Sequence, residues 1–335
     1  MKPSIFFVLS TLCFILACTK EDEVLPSNLF ERLTDPVFES ELNIAADPSI
    51  VRSGDTLFMY YSAENFKIGV VYSLDDGDTW ESPDGNRADD YAALSGQSDK
   101  WDSTLETIDV LKVGNTYRMY YAGYREGEAD NDHVDNYEIG LAVSTDGINF
   151  TRHPESVEKA ILPRDVSDED SNDRHAMTSP GVVYHDNKYY MIYAGWNVTD
   201  DWTGSNAGIR IMGATSEDGV SWTKISKPII IPSEVTYSPD INEATLLRSD
   251  DGFWYIVFST DISIGIARAI DFTGSYDIYP ETIISPASTW DSEVTAPDAI
   301  IENNKMRIWF HGVKAPAYYP WVIGYSEANY PLDWD

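Results

Sequence analysis

The sequence predicts an all-β fold, a five-bladed β-propeller. Aromatic residues make up 13% of the 335 residues, and short alternating apolar runs are separated by Asp-Gly, Gly-Asn and Asp-Asn turn signals. These runs recur as five similar units along the chain. Four-stranded sheets repeated around an axis hide their edges between neighbouring blades, so such a repeat predicts a propeller.

Each unit offers three strong strands: an apolar first strand, an aromatic-rich second strand, and a third in which Ile is followed within two residues by Gly. The units are between about 53 and 72 residues apart. Because the first strands of all blades converge on one axial funnel, we expect their opening residues to form a ring at one end of it. These residues are Asp47, Glu106 or Thr107, Ser179, Glu243 and Ala296.

A weaker fourth strand is expected near the aromatic residue after the turn in three units, Trp80, Phe150 and Trp222. The turns themselves, residues 73–80, 144–150 and 216–222, are similar to one another, and the first resembles the Asp-box of sialidases. Asp and Ser side chains in such a turn bond its own backbone, and Gly adopts positive φ. We therefore expect the three turns to be structural.

The first 17 residues have the features of a bacterial lipoprotein signal peptide: Lys2, an apolar stretch, and Ile-Leu-Ala before Cys18. This ending resembles a lipobox, in which the cysteine is diacylated; an ordinary signal peptide cleaved nearby is the alternative. We expect residues 18–33 to be a lipid-anchored tether and residues 34–335 to form the propeller. The predicted location is the cell envelope, on the outer surface or periplasmic face of a bacterial membrane.

The formal net charge is −33. Such a surface repels nucleic acid and anionic lipid headgroups, whereas neutral glycans remain compatible with it. We expect a monomer that binds no nucleic acid and meets the membrane only through its lipid anchor.

With its five units and their openings, the sequence resembles the five-bladed propeller glycosidases, above all glycoside hydrolase family 43 and the related families 32 and 117. The resemblance covers nearly the whole mature chain and implies an O-glycosyl hydrolase with a carbohydrate substrate. Members typically carry an Asp opening the first blade as general base, an Asp opening the third that tunes the acid, and a Glu opening the fourth as general acid.

Asp47 matches the first of these positions and Glu243 the last. Glycoside hydrolysis needs one ionised and one protonated carboxyl group, and burial beside an apolar strand raises a carboxyl pKa as an acid requires. We therefore expect an inverting glycosidase in which Asp47 deprotonates water and Glu243 protonates the leaving oxygen. For Asp47 the alternative to a catalytic role is an Asp-Pro turn that begins a strand. For Glu243 the alternative is a salt bridge at the rim.

The middle acid is missing, because Ser179 stands where an Asp is expected. Glu106 and Asp240 are the candidates to tune the acid in its place. Asp109 and Asp298 match an Asp that is usually structural in these families.

Five further residues are candidates for substrate binding. His311 stands where other blades place small residues, so we expect it to face the channel and hold a ligand, water or an axial ion; a packed core histidine is the alternative. Arg174 and His175 precede the third blade. Trp196 and Trp202 flank a long insertion and suit sugar stacking or blade packing.

No cofactor is expected, apart from a possible axial calcium or other ion. Three rival functions remain open. Ser179 suggests a non-catalytic glycan-binding surface lipoprotein; a glycoside phosphorylase needs a basic phosphate pocket; and a sialidase-like enzyme needs an arginine triad.

Overall fold

The computed structural model describes residues 29–125, 136–197, 208–286, 290–313 and 319–334. Apart from two single-turn 3-10 helices, Pro154–Ser156 and Pro232–Glu234, the regular elements in these ranges are strands. The helices found there are too short to cross a membrane. The predicted signal peptide, Cys18, most of the tether and Trp202 lie outside the described residues.

The strands fall into five sheets, as predicted. They are β1 (Glu31–Arg32) and β2 (Phe38–Glu39); blade one, β3 (Ala45–Ser53), β4 (Thr56–Ala63), β5 (Lys67–Ser73) and β6 (Ala92–Ser95); blade two, β7 (Thr104–Val113), β8 (Thr116–Tyr124), β9 (Glu138–Ser144) and β10 (Thr151–Arg152); blade three, β11 (Ala176–His185), β12 (Lys188–Trp196), β13 (Ile209–Ser216) and β14 (Thr223–Lys224); blade four, β15 (Asn242–Arg248), β16 (Trp254–Ser259), β17 (Ile264–Ala269) and β18 (Asp277–Ile278); and blade five, β19 (Glu293–Glu302), β20 (Lys305–Val313) and β21 (Val322–Asn329).

Blades one to four are antiparallel meanders in chain order, whereas blade five takes its outermost strand from the start of the chain. Glu31 of β1 pairs with Glu327 of β21, and β2 pairs with the same strand. The predicted boundary at residue 34 is therefore wrong, since residues 31–32 already belong to the propeller. The reason is physical: this strand covers the last free sheet edge and closes the ring.

The fourth strands follow the prediction in two of the three units. The short strands β10 and β14 begin directly after Phe150 and Trp222. In blade one the fourth strand lies well beyond Trp80, because Glu81 instead forms an isolated bridge with Tyr72.

The core lies between the blades, where apolar faces of neighbouring sheets pack together. Tyr60 and Val70 of blade one, for example, share one buried cluster with Leu105, Val110 and Met119 of blade two. Since every blade face is covered by the next blade, the propeller needs no helices to bury its sheets.

The three predicted turns are structural. In the first, the Ser73 hydroxyl donates to Asp75 Oδ1 at 2.8 Å and Thr79 N–H donates to the same oxygen at 2.9 Å. Hydrogen bonds from the Thr79 hydroxyl and N–H, then from Ser73, lower the pKa of Asp75 to about 2. The turn of blade two is also tied to blade one, since Tyr60 Oη donates to the Gly147 carbonyl at 2.7 Å; Gly147 has φ +76°.

Candidate active site

A β-bulge lies near the start of each innermost strand and aims one side chain into the axial funnel. The register shifts fall between Ala46 and Ser49 and at the matching places of the other four blades. Four bulge residues adopt positive φ, a costly conformation for non-glycine residues that clusters at functional sites. They are Asp47 (48°), Thr107 (39°), Ser179 (51°) and Ala296 (47°).

The funnel contains a cavity of about 310 Å³, including its part open to solvent. All five ring positions line it: Asp47, Thr107, Ser179, Glu243 and Ala296. In blade two the ring residue is Thr107, not Glu106. The two predicted catalytic carboxylates thus share one cavity although they are far apart in sequence.

Asp47 is held by His311. The main-chain N–H of Asp47 donates to Nδ1 of His311 at 3.3 Å, and the same nitrogen lies 3.6 Å from Asp47 Oδ1. A neutral imidazole accepts this N–H at Nδ1, whereas a protonated one makes an ion pair with the carboxylate. Burial alone lowers the pKa of His311, but the hydrogen bond and charge of Asp47, with the charges of Glu243 and Glu293, raise it above its ordinary value.

Glu243 is held through one carboxylate oxygen. Its Oε2 accepts hydrogen bonds from the Thr295 hydroxyl, from Ser259 Oγ at 3.2 Å and from Ala296 N–H at 3.1 Å. No described residue donates a hydrogen bond to Oε1. The network orients the carboxyl group and leaves Oε1 for a partner outside the described protein, such as a substrate oxygen.

The pKa of Glu243 is raised. Burial is the largest cause, and the negative charge of Asp47 is the next. The charge of His311 and the hydroxyls of Thr295 and Ser259 oppose the rise. A raised pKa favours the protonated form of a carboxyl group, as the role of general acid requires.

Ser179 occupies the ring position of the absent middle acid. Its main-chain N–H donates to Thr107 Oγ1 at 2.9 Å. Its hydroxyl is buried and has no hydrogen-bond partner in the described part of the chain. The third blade thus offers the cavity a neutral polar group in place of a carboxylate.

Neither predicted substitute for the middle acid lines the cavity. Glu106 directly precedes the bulge of blade two, and its Oε2 accepts the Tyr137 hydroxyl at 2.8 Å. Asp240 is buried before β15, where its N–H donates to Ser238 Oγ at 3.2 Å. The carboxylate whose negative charge raises the pKa of Glu243 is Asp47.

The other predicted binding residues lie around the third blade. The carbonyls of Arg174 and His175 accept hydrogen bonds from one Arg164 nitrogen, at 3.2 and 2.9 Å, and neither residue lines the cavity. Trp196 is 4% exposed, and its indole N–H donates to Thr178 Oγ1 at 3.0 Å. The sugar-platform prediction for Trp196 is therefore wrong, because its rings are covered by blade packing.

Two carboxylates deeper in the funnel join blades, which agrees with their expected structural role. Asp109 Oδ2 accepts the Val182 N–H at 2.7 Å. Asp298 accepts the Ile50 N–H at 2.6 Å and the Thr245 hydroxyl at 2.8 Å. Burial raises the pKa of Asp298 to about 6, and burial followed by the charge of Asp298 raises that of Asp109.

Sequence reasoning missed Ser259 and Thr295, the hydroxyls that orient Glu243. Ser259 carried a signal, since it stands at the same place of its blade as His311. In the described ranges, no group of three or more His, Cys, Asp or Glu side chains is placed to hold a metal ion.

Comparison with known proteins gives a family match over about half of the chain. The sequence model of the family described as "Glycosyl hydrolases family 32 N-terminal domain" matches residues 108–278. An uncharacterized protein of Mycobacterium tuberculosis is 27% identical over 229 residues, 64% of this chain and 66% of that protein. The chain therefore spans just under two thirds of the length of this relative. A 1,2-beta-oligomannan phosphorylase of Thermoanaerobacter sp. (strain X514) is 28% identical over 157 residues, 46% of this chain and 45% of that protein.

Solved structures share the fold. An endo-arabinase from Bacteroides thetaiotaomicron VPI-5482 superposes with a TM-score of 0.60 at 17% identity, covering 85% of this chain and 96% of that chain. A structure from work on the GH130 family of mannoside phosphorylases, which contains glycoside hydrolases that target beta-1,2 mannosidic linkages in Candida mannan, gives a TM-score of 0.62 at 15% identity, covering 92% and 99%.

Proposed function

We propose that this chain, which belongs to the family of the glycosyl hydrolases family 32 N-terminal domain, hydrolyses a glycosidic bond of a neutral oligo- or polysaccharide with inversion at the anomeric carbon. Membership of that family, with the five-bladed fold, confirms the relationship to propeller glycosidases that the blade openings predicted. The observation that carries the proposal is the position of Glu243, which shares one cavity with Asp47 and is held through Oε2 alone; the raised pKa of Glu243 agrees with it.

In the proposed reaction Asp47 takes a proton from water while the water oxygen attacks the anomeric carbon. The bond from that carbon to the leaving oxygen breaks, and Glu243 gives its proton to the leaving oxygen. An inverting site needs carboxyl groups about 6.5–9.5 Å apart, so that water fits between them. Their position on non-adjacent blades, with the cavity between them, supports this arrangement over direct attack by Asp47.

The cavity lining supports a neutral substrate. It contains four carboxylates, Asp47, Asp109, Glu243 and Asp298, and no lysine or arginine from the described ranges. A lining without a lysine or arginine offers no cationic partner to a phosphate or to the carboxylate of an acidic sugar. Hydroxyl groups of a neutral sugar have suitable partners there in Oε1 of Glu243 and the hydroxyl of Ser179.

A glycoside phosphorylase is the second candidate, because a curated relative carries that activity in its name. The lining has no lysine or arginine from the described ranges to bind a phosphate co-substrate, which disfavours a phosphorylase. It also speaks against a sialidase-like site, which requires arginines for the substrate carboxylate. A non-catalytic binder has no need of a desolvated Glu243 beside Asp47.

The test is product analysis with the purified domain. Nitrophenyl glycosides of arabinofuranose, mannose and xylose, together with arabinan and mannan, are incubated with and without inorganic phosphate, and the first product is read by ¹H NMR. We expect free reducing sugar of inverted configuration, formed at the same rate without phosphate. A sugar 1-phosphate formed only with phosphate identifies a phosphorylase; the retained anomer contradicts inversion; binding without turnover leaves a glycan-binding protein.

We further propose that the enzyme acts at the cell envelope, held by a diacylated Cys18. The lipobox-like sequence before Cys18 supports this, and a surface anchor suits an enzyme whose substrate is a polymer outside the cell.

A further inference from the structure

Three rings form a near-parallel run from the active site towards solvent. The imidazole of His311 and the indole of Trp321 have centroids 5.3 Å apart and planes inclined by 8°. The phenol of Tyr319 follows Trp321 at 6.0 Å and 9°. Tyr319 is 56% exposed, so the run begins beside Asp47 and ends in an aromatic face open to solvent.

The run is attached to the strand that carries Asp47. Trp321 N–H donates to the Asn43 carbonyl at 2.9 Å, and Ala45 N–H donates to the Trp321 carbonyl at 3.1 Å. These bonds hold the loop of blade five against the start of β3. Together with the contact between Asp47 and Nδ1 of His311, they fix the aromatic rings relative to the proposed general base.

An exposed aromatic side chain in a fixed position next to the proposed active site is best suited to bind a sugar ring. The C–H face of a sugar ring packs on an aromatic face without any charge, and a tyrosine offers a large rigid surface at low entropic cost. A chain with a net charge of −33 has no favourable long-range attraction for a neutral glycan, so affinity must come from such short-range contacts.

We propose that Tyr319, supported by Trp321, is a sugar-binding platform for a residue of the glycan next to the one that is cleaved. Two ring steps separate Tyr319 from His311, so the stacked sugar is a neighbour of the reacting one. The proposal rests on the proposed function and adds the surface that binds the sugar next to the cleaved one.

The test compares Tyr319→Ala with Tyr319→Phe, which keeps the ring. Tyr184→Ala is the matched control, because Tyr184 is also exposed (40%) but lies near the far end of β11, next to the hairpin with β12. Binding to soluble mannan and arabinan is measured by native affinity electrophoresis. Rates are measured on β-1,2-mannooligosaccharides and α-1,5-arabinooligosaccharides of increasing length, and on the nitrophenyl monoglycosides.

We expect Tyr319→Ala to weaken binding of the recognised polysaccharide by about 5- to 10-fold, with a larger loss on oligosaccharides than on monoglycosides. Tyr319→Phe and Tyr184→Ala should bind like the wild type. Equal binding by Tyr319→Ala, or a wild type that binds none of these glycans, overturns the platform. Tyr319-dependent binding without any hydrolysis leaves the platform standing and overturns the proposed enzyme function.

Discussion

At the scale of single residues, the ring depends on how each bulge N–H finds an acceptor. At three of the five bulges the acceptor is a side chain at one place near the end of the second strand of the preceding blade. The pairs are Ser62 Oγ with Thr107 N–H (3.0 Å), Ser259 Oγ with Ala296 N–H (2.8 Å) and His311 Nδ1 with Asp47 N–H (3.3 Å). The sequence singled out His311 because it stands among small residues. Its main-chain partner was not predictable, since residue types do not reveal which N–H a bulge leaves free.

Because Ser62 and Ser259 fill the equivalent place in blades one and four, we expect a serine at position 311 to retain the fold. In His311→Ser, serine takes the role it already has in blades one and four, while the imidazole charge beside Asp47 is lost. We expect a folded protein whose activity falls about 10- to 100-fold, less than removal of a catalytic carboxylate. The charge of His311 lowers the pKa of Glu243, so the alkaline limb of the pH–activity profile should move to higher pH. An unchanged profile contradicts an electrostatic role for His311.

The raised pKa of Asp298 predicts how the stability of the folded protein depends on pH. Its pKa is raised from the ordinary 3.8 to about 6, so between these values the folded protein binds more protons than the unfolded chain. The stabilisation is complete below about pH 4 and is lost as the pH rises through 6. Melting temperatures between pH 4 and 7 should fall more steeply for the wild type than for Asp298→Asn, which cannot titrate. Parallel curves for the two proteins contradict this assignment.

At the scale of elements, the outermost strands of blades two and five are held by a buried carboxylate that lies just before the innermost strand of the same blade. In blade two, Asp102 accepts the Tyr121 hydroxyl at 2.7 Å and Arg152 Nε of β10 at 2.5 Å. In blade five the same place is taken by Asp291, whose partner is Arg32 of β1. The recurring Trp-Asp-Ser at residues 101–103 and 290–292 was visible in the sequence. The cation that completes each pair was not, because it comes from a two-residue strand that has no periodic pattern.

Arg32 therefore closes the ring, and its loss should be costly. Its guanidinium lies over Trp290 at 4.6 Å and pairs with Asp291, whose side chain has no exposed surface. Arg32→Ala removes the cation that faces this buried carboxylate, and we expect a loss of about 3–5 kcal/mol in the free energy of unfolding. Urea denaturation measures this loss, with the exposed Lys227→Ala as control. A loss as small as that of the control contradicts closure through Arg32.

At the scale of the whole molecule, repeat period and strand pattern were enough to predict five blades and one ring of opening residues. The prediction held because each blade repeats the same pattern over a short stretch of chain. The prediction failed at β1, because this short strand pairs with β21 at the other end of the sequence. It also failed at Trp196, because a tryptophan at the end of a strand has the same sequence signature whether it is exposed or packed.

The proposed lipid anchor at Cys18 leads to a prediction about where the protein is located in the cell. If Cys18 is diacylated, the wild type should fractionate with membranes and partition into detergent, while Cys18→Ser should be soluble or mislocalised. Fractionation with intact-mass analysis of the mature N-terminus is the measurement. An unmodified wild type in the soluble fraction contradicts the lipid anchor.

The central claim, that Glu243 is the general acid and Asp47 the general base, is tested most directly by the dependence of mutant rates on the leaving group. Glu243→Gln cannot donate a proton, so cleavage of a sugar–sugar bond should fall by about 10²- to 10⁴-fold. An activated dinitrophenyl glycoside, which needs little protonation, should lose far less. Asp47→Asn should lose activity on both substrates, and the surface variant Glu158→Gln on neither. If Glu243→Gln loses the same factor on both substrates, or remains active on both, Glu243 is not the acid and the account is wrong.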